Sequence, residues 1–259
     1  TIGFWLAFSF VIIFLISLLI SRRYRTLQQR TRERSELNNK IAELEQASLR
    51  AQMNPHFIFN CLNSIQHFVI KNDFENTNRY IAHFGNLIRL TLDNAARPAV
   101  TIADEIKYLV NYMELEKMRF PESFNYTIET DASVALDYTC IPSMVLQPFV
   151  ENAIRHGIRH RNDHSGLIRV QVQQENGGLL LSVEDNGVGR EAAARFKSQQ
   201  HIEYQSRGIQ LTMDRLSLLG EKKKKKVITT ITDLKDEKGL PSGTRVSIYF
   251  PATILNKLG

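Results

Sequence analysis

Residues 148–157 read PFVENAIRHG, and residues 183–189 read VEDNGVG. The first segment is predicted to be helical, and side chains three and four positions apart on a helix share a face. Its polar side chains should therefore cluster within one turn, where an asparagine oxygen suits Mg²⁺ and arginine or histidine suits phosphate. The plainer interpretation is a solvated helix end. The clustered side chains are those of Glu151, Asn152, Arg155 and His156.

The second segment places a carboxylate at the end of a predicted strand, followed by two glycines. A buried Asp185 can accept a hydrogen bond from an exocyclic amine. Gly187 and Gly189 let the backbone approach a ligand closely and adopt positive φ. On its own, such a segment is more simply explained as a turn. The chain contains no GxxxxGK[ST] sequence, which excludes a Walker A phosphate loop.

The patterns around both segments predict an α+β fold, with helices packed on one face of a mostly antiparallel sheet. Gly177 and Gly178 predict a hairpin, residues 185–206 are expected to be rich in loops, and a turn with Gly239, Pro241 and Gly243 precedes the last strand. The predicted helices cover 141–155 and 208–219, and the predicted strands cover 124–130, 167–174, 179–184, 227–233 and 244–250.

The sequence upstream predicts a helical bundle without β structure, with helices at 52–71, 75–94 and 102–118. Residues 24–50 are charged and lack proline and glycine. Within them, Leu37, Ile41 and Leu44 keep a 4-3 spacing, which predicts a short parallel coiled coil. A solvated single helix is the alternative, because the apolar seam is brief.

Residues 2–20 contain no charged side chain, and an arginine cluster follows them. At about 1.5 Å per residue, this apolar run can cross a hydrocarbon core of roughly 30 Å. A signal peptide would carry its positive charge before the run, and a core helix is rarely apolar all round for this length. We therefore expect a membrane span at 1–21, with the residues after it in the cytoplasm.

The remaining composition is that of a globular protein of 259 residues, with 43% hydrophobic residues and a net charge of +6. Two cysteines without metal-ligand spacing fit a reducing compartment. The lysine run 222–226 could contact anionic lipid or an acidic partner, but a solvated loop is the simpler interpretation. No recognition helix or aromatic-basic pattern indicates direct nucleic-acid binding.

The order of ENAIRHG, VEDNGVG, a helix beginning near Gly208 and the pair Gly243-Thr244 resembles the ATP-binding domain of the GHKL superfamily. That superfamily includes histidine kinases, type II topoisomerases, Hsp90 and MutL. The resemblance implies ATP and Mg²⁺ as ligands, with Asn152 in the N box as the magnesium ligand and Asp185 as the partner of the adenine amine. It also implies that Thr244 supports the adenine side. By the same resemblance Gly187, Gly189 and Gly208 would shape the lid and the phosphate cradle, while Arg155 and His156 are candidates for phosphate contact from their residue types alone.

Residues 49–63 read LRAQMNPHFIFNCLN, which closely resembles the histidine box of LytS/YehU-type sensor histidine kinases. The resemblance implies that His56 is the phosphoacceptor, and a neutral imidazole nitrogen is a competent nucleophile near physiological pH. Asn60, four residues later, is a candidate for orienting the ring or a water molecule. The family further implies a homodimer and a response regulator, of the LytTR DNA-binding type in LytS-type kinases.

Two positions depart from the kinase patterns. Phe57 stands where many histidine kinases carry an acid, which leaves Glu151 as a candidate general base. Gln210 stands where LytS-type sequences commonly carry a glycine.

The sequence thus predicts a membrane-bound sensor histidine kinase of a two-component system. Its predicted regions are a membrane span (1–21), a coiled coil (22–50), a dimerisation and phosphoacceptor region (51–120) and a GHKL ATP-binding domain (121–259). One alternative is a signalling scaffold that binds ATP without catalysis. The other is a GHKL ATPase that closes a dimer clamp, as MutL does.

Overall fold

The computed structural model describes residues 18, 22–23, 28–29, 55–161, 165–198, 206–222 and 226–255. The chain divides into two compact units, Thr1–Gln46 and Ala47–Gly259. The predicted membrane span and coiled coil lie outside the described residues, apart from five helical positions in the first unit. Among the residues that are described, no helix combines the length and apolar character needed to cross a membrane.

Three helices form the predicted bundle, and their ends agree with the sequence prediction to within three residues. Asp73 caps the second helix, because its Oδ1 accepts a hydrogen bond of 3.1 Å from the amide of Asn76. Thr101 caps the third helix in the same way, through a 3.1 Å bond from the amide of Asp104. The helices are α1 (Pro55–Ile70), α2 (Phe74–Ala95) and α3 (Ile102–Arg119).

A five-stranded sheet forms the second layer, with all five predicted strands present. Its order is β2-β4-β5-β7-β6, and only the β2–β4 pair is parallel among these neighbours. Alternate residues of β4 are buried against the helices, which explains the apolar alternation seen in the sequence. The strands are β2 (Phe124–Thr130), β4 (Gly166–Glu175), β5 (Gly178–Asp185), β6 (Ile228–Lys235) and β7 (Pro241–Phe250).

The prediction of one helix over 141–155 was wrong in its first half. Cys140–Pro142 instead forms strand β3, which pairs with β1 (Ala99–Thr101) in a small antiparallel sheet that the sequence analysis did not predict. Met144 then takes a positive φ of 55° in a turn, which no helix continues through. The rest is divided among α4 (Gln147–Asn152), a π-helix (Ala153–Gly157) and a 3₁₀ turn (Ile158–His160).

The expectation of a loop-rich stretch over 185–206 was wrong in part, since α5 (Gly189–Ser198) begins directly after the second glycine of VEDNGVG. Helix α6 (Ser206–Lys222) includes the predicted 208–219, and a short helix α7 (Ala252–Leu255) follows the last strand.

Helix α3 belongs to the packing of both layers. On the bundle side, its Tyr112 ring lies 5.6 Å from the ring of Phe57 in α1, measured between centroids. On the sheet side, its buried Glu105 accepts hydrogen bonds from the turn that precedes α4. The buried apolar side chains of bundle and sheet accordingly form one continuous core. Helix α1, which carries the predicted phosphoacceptor, and the turn that leads into the predicted N box therefore both contact α3.

Candidate functional site

Asp185 is the last residue of β5, and its side chain is buried. Its Oδ1 accepts a 2.8 Å hydrogen bond from the amide of Gly187, and the backbone of Thr244, opposite it on β7, also donates to the carboxylate. Burial raises the pKa of Asp185 to about 6, although both amide bonds oppose the rise. The structure thus brings together Asp185 and Thr244, which the sequence analysis assigned to the adenine side, and Gly187, which it assigned to the phosphate cradle.

Three glycines let the backbone close around this carboxylate. A Cβ on Gly187 would lie 2.3 Å from the Cα of Gly157, and a Cβ on Gly157 would lie 2.6 Å from Oδ1 of Asp185. A Cβ on Gly243 would lie 1.9 Å from the carbonyl oxygen of Asp185. Sequence analysis did not identify Gly157 as part of the site, although its place at the end of ENAIRHG was a usable signal.

Alanine at Gly243 is expected to destabilise the fold by roughly 3 kcal/mol or more, because it combines a backbone clash with an unfavourable φ of 142°. Alanine at Gly208 is the matched control. Nothing lies within 4 Å of its Cβ position in α6, so a gain of up to about 1 kcal/mol is expected there. Denaturant unfolding of the nucleotide-free protein measures both effects. Equal midpoints for Gly243→Ala and the unsubstituted protein would contradict the prediction.

The predicted N box ends in a π-helix, which the sequence analysis treated as ordinary α-helix. The amide of Ile158 donates to the carbonyl of Ala153, five residues back. Gly157 lies beside the loop that follows the central strand β5, where its carbonyl accepts a 3.2 Å bond from the amide of Val188. The two predicted boxes are therefore joined through their backbones.

The polar side chains of this segment do not all face the same way. Nη1 of Arg155 lies 3.2 Å from Oε1 of Glu151, and the guanidinium is buried close to Glu116 of α3. This burial does not favour the predicted contact of Arg155 with phosphate. Asn152 and His156 are half-buried, which leaves each side chain partly accessible.

The half-buried side-chain oxygen of Asn152 is of the type that suits a magnesium ion held mainly by a nucleotide. Mg²⁺ usually keeps several waters and takes one or two protein oxygens plus substrate phosphates. The described residues contain no group of three or more His, Cys, Asp or Glu that could hold a metal by themselves. A single protein oxygen beside bound phosphates agrees with both facts.

Asn186 was not singled out from the sequence, but it holds the strand end in place. Its Oδ1 accepts a 2.7 Å bond from the amide of Leu167, and its Nδ2 donates over 2.9 Å to the carbonyl of Ser165. The side chain of Arg161 also donates to the carbonyl of Asn186. Asn186 thus fixes the start of β4 against the loop that carries Gly187.

Two predicted lid positions lie on helices. Gly189 has a φ of 79° and begins α5, whose Arg190 forms a bidentate pair with Asp233 of β6 at 2.6 Å for both bonds. Gly208 lies within α6, and Gln210, the residue that departs from the kinase pattern, donates to Asp214 over 2.9 Å. Gln210 is therefore accommodated on the exposed face of the helix.

His56 is the second residue of α1, in the first helical turn. Phe57, which replaces the usual acid, packs on Tyr112 and so helps to attach α1 to α3. Asn60 is half-buried one turn later, and its backbone carbonyl accepts a 3.0 Å bond from Ser64. His56 and Asp185 belong to different layers of the fold, since His56 lies on α1 of the bundle and Asp185 ends strand β5 of the sheet.

Two protein families match the chain in succession. The histidine kinase family matches residues 44–124, and the histidine kinase-, DNA gyrase B- and HSP90-like ATPase family matches residues 142–254.

Known proteins show the same likeness. The sensor protein LytS of Staphylococcus haemolyticus is 34% identical over 60% of this chain and 26% of its own length. The sensor histidine kinase YesM of Bacillus subtilis is 31% identical over 66% of this chain and 30% of its own length. The catalytic domain of the histidine kinase ThkA is 15% identical, with coverage of 60% of this chain and 94% of that chain and a TM-score of 0.38, too low to support a statement about fold.

The chain spans less than a third of the length of LytS and YesM. Within that span, both family matches occur in the order that the sequence motifs predicted. The chain therefore carries a histidine kinase domain followed by a histidine kinase-, DNA gyrase B- and HSP90-like ATPase domain.

Proposed function

We propose that this chain transfers the γ-phosphoryl group of ATP to His56. The observation that carries the proposal is the buried carboxylate of Asp185, enclosed by backbone at Gly157, Gly187 and Gly243. Such a closed backbone cradle with one buried acceptor suits a flat base that presents an amine. The neighbouring N box would supply the oxygen of Asn152 as a ligand for a magnesium ion bound to the phosphates.

Each residue of the site has a distinct proposed role. Asp185 accepts a hydrogen bond from the adenine amine, with Thr244 beside it, and the glycine backbone lies along the nucleotide. Asn152 would ligate Mg²⁺, which when bound neutralises phosphate charge and aligns the γ-phosphoryl group. His156, Gly189 and Gly208 are the remaining proposed nucleotide contacts.

In the reaction, a ring nitrogen of His56 attacks the γ-phosphorus, and the bond from that phosphorus to the bridging oxygen of ADP breaks. The ring proton passes to a base, for which Glu151 is the candidate. The guanidinium of Arg155 at 3.2 Å orients this carboxylate. Most of the acceleration comes from positioning and charge neutralisation, as in other phosphoryl transfers.

The test is to incubate the protein with γ-labelled ATP and magnesium, beside an Asn152→Ala variant. We expect label that is labile to acid and stable to base in the unsubstituted protein, and none in the variant. Nucleotide binding without any label, even in membranes, would favour the non-catalytic scaffold. Hydrolysis of ATP without phosphohistidine would favour the clamp ATPase.

We also propose that two copies of the chain pair through the bundle. Phe59, Leu62 and Val69 are exposed on one face of α1, where the polar Gln66 occupies the remaining position of a 3-4-3 spacing. Helix α2 continues this apolar surface. An exposed apolar face of this extent is typical of a protein interface. The exposed side chains and their exposed fractions are Phe59 (65%), Leu62 (49%), Val69 (48%), Phe74 (67%), Ile81 (47%) and Leu92 (53%).

Glutamate in place of Leu62 is expected to weaken the dimer at least about tenfold, because it places an unpaired charge in an apolar contact. Light scattering of the detergent-solubilised full chain over a dilution series measures the dissociation. Ile228→Glu, at an equally exposed position on β6, should leave it unchanged. A dimer of Leu62→Glu that survives the same dilution would exclude this face.

We further propose that phosphorylated His56 donates its phosphoryl group to an aspartate of a response regulator, for which a LytTR-type regulator is one candidate. Residues 1–21 are proposed to anchor the kinase in the cytoplasmic membrane. Asn60 is then the candidate for activating water in the reverse, dephosphorylating direction. Loss of label from the kinase on adding a purified receiver domain tests the transfer. Extraction of the full chain from membranes by carbonate would contradict the anchor.

A further inference from the structure

Glu105 of α3 is a fully buried acid that the nucleotide chemistry does not use. Its Oε2 accepts a 2.8 Å hydrogen bond from the amide of Met144, and its Oε1 accepts a 2.9 Å bond from the amide of Leu146. Burial raises the pKa of Glu105 to about 7, and bonds from backbone amides oppose the rise. A buried carboxylate is tolerated only where such bonds replace water, so its place in the core has a specific requirement.

The amides that Glu105 binds belong to the turn that leads into the N box. We call residues 143–146 the junction. Helix α4 begins directly after it, and Leu146, its N-cap residue, makes no capping bond with its own side chain. Glu105 accepts from the backbone amide of this N-cap residue, a donor that the N3 side chain of a capping box normally satisfies, so one unpaired donor of the helix start is satisfied from α3.

A third element reaches the same junction. Nη2 of Arg215, on α6, donates a 2.7 Å hydrogen bond to the carbonyl of Ser143. The positive charge of Arg215 also acts on Glu105 from this side. Helix α6, helix α3 and the start of the N box are thus fixed to one another at the junction, residues 143–146.

Helix α3 reaches the phosphoacceptor helix as well, through the contact of Tyr112 with Phe57, the neighbour of His56. A displacement of α3 would therefore act on α1 and on the junction together. Asn152 lies six residues beyond Leu146 and is the last residue of α4, the helix that begins directly after the junction.

From this arrangement we propose that Glu105 is a positioning residue. Its hydrogen bonds to the junction hold the N box against α3, and Asn152 is oriented for its ligand only while these bonds are formed. The proposal rests on the proposed function for the role of Asn152. A shift of α3 away from the junction would then be the step by which the bundle controls nucleotide binding.

The test substitutes Glu105→Gln, which keeps the side-chain length but replaces one acceptor oxygen by a donor group. In the nucleotide-free full chain at about pH 8, above the pKa of Glu105, amide exchange at Met144 and Leu146 should accelerate at least about tenfold, because bonds to a charged acceptor are lost. Magnesium-dependent binding of a fluorescent ATP analogue should weaken by a similar factor. Nucleotide binding measured without magnesium should change less.

Asp104→Asn is the matched control, since it removes the same charge from the adjacent, partly exposed position of α3. It should alter neither the exchange at the junction nor the binding. If Glu105→Gln does not fold, Arg215→Gln tests the same junction from α6, with the same local increase in exchange.

A uniform acceleration of exchange over the sheet and the bundle would show a purely structural role and overturn the proposal. Unchanged exchange at residues 143–157 would also overturn it. If the junction responds as expected but the unsubstituted protein never forms phosphohistidine, the proposed kinase function fails while the positioning role stands.

Discussion

Substitution of His56 by glutamine is expected to reduce acid-labile phosphorylation to background. An amide nitrogen is not a nucleophile toward phosphorus, because its lone pair is delocalised into the carbonyl, whereas a neutral imidazole nitrogen is competent. Glutamine is a good helix former, so the first turn of α1 should persist. ATP binding should remain unchanged, since the candidate pocket around Asp185 lies in the ATPase domain. Filter-bound label and a separate nucleotide-binding titration measure the two quantities.

The matched control is His67→Gln on the same helix, where the histidine is exposed and has no assigned role. Its label should equal that of the unsubstituted protein. Undiminished label in His56→Gln would mean that a different residue accepts the phosphoryl group. Loss of label in both variants would indicate damage to α1 and would remove the support for His56 as the acceptor.

Substitution of Asp185 by asparagine is expected to weaken ATP binding by about 10- to 100-fold. The change removes a charged acceptor from a buried position, and a hydrogen bond of that kind contributes about 1.5–3 kcal/mol. Inosine triphosphate lacks the exocyclic amine, so its affinity should be affected much less. Titration of both nucleotides against Asp185→Asn and against Asp137→Asn, an exposed carboxylate, separates the specific effect from a general loss of charge.

The pH dependence of ATP binding provides a second measurement on the same residue. Because burial raises the pKa of Asp185 to about 6, the free protein gains a proton there as the pH falls through 6. Affinity for ATP should thus be full near pH 8 and decline below about pH 6. Asp185→Asn should show a flatter profile over this interval. An identical decline in both proteins would assign the titration to another group.

The sequence predicted the three bundle helices and the five strands because their apolar periodicities are long and uninterrupted. The membrane span and the coiled coil stay predictions. Strand β3 was missed because three residues, Cys140–Pro142, are too short for a period, and their pairing with β1 depends on residues some 40 positions away. The π-helix was missed because one additional residue per turn leaves no pattern in the side chains.

The site was predictable where a chemical type sufficed, as for the carboxylate and glycines of VEDNGVG. It was not predictable where the role depends on a distant partner. Glu105 resembled any acid in the first turn of a helix, and only the junction shows what its carboxylate binds. Arg155 was predicted at phosphate from its residue type, which stays a prediction, and the sequence did not predict its burial or its 3.2 Å ion pair with Glu151.

The parallel pairing of β2 with β4 bears on the order in which the chain can fold. Parallel neighbours need a crossover connection, and here the crossover, residues 131–165, contains the junction, α4 and the π-helix. The candidate magnesium ligand therefore lies on the segment that must be wrapped across the sheet before β2 and β4 can align. Pairings of this range form slowly. During synthesis or refolding, nucleotide binding should appear only when the sheet is complete. A partly folded domain would therefore neither bind nor consume ATP.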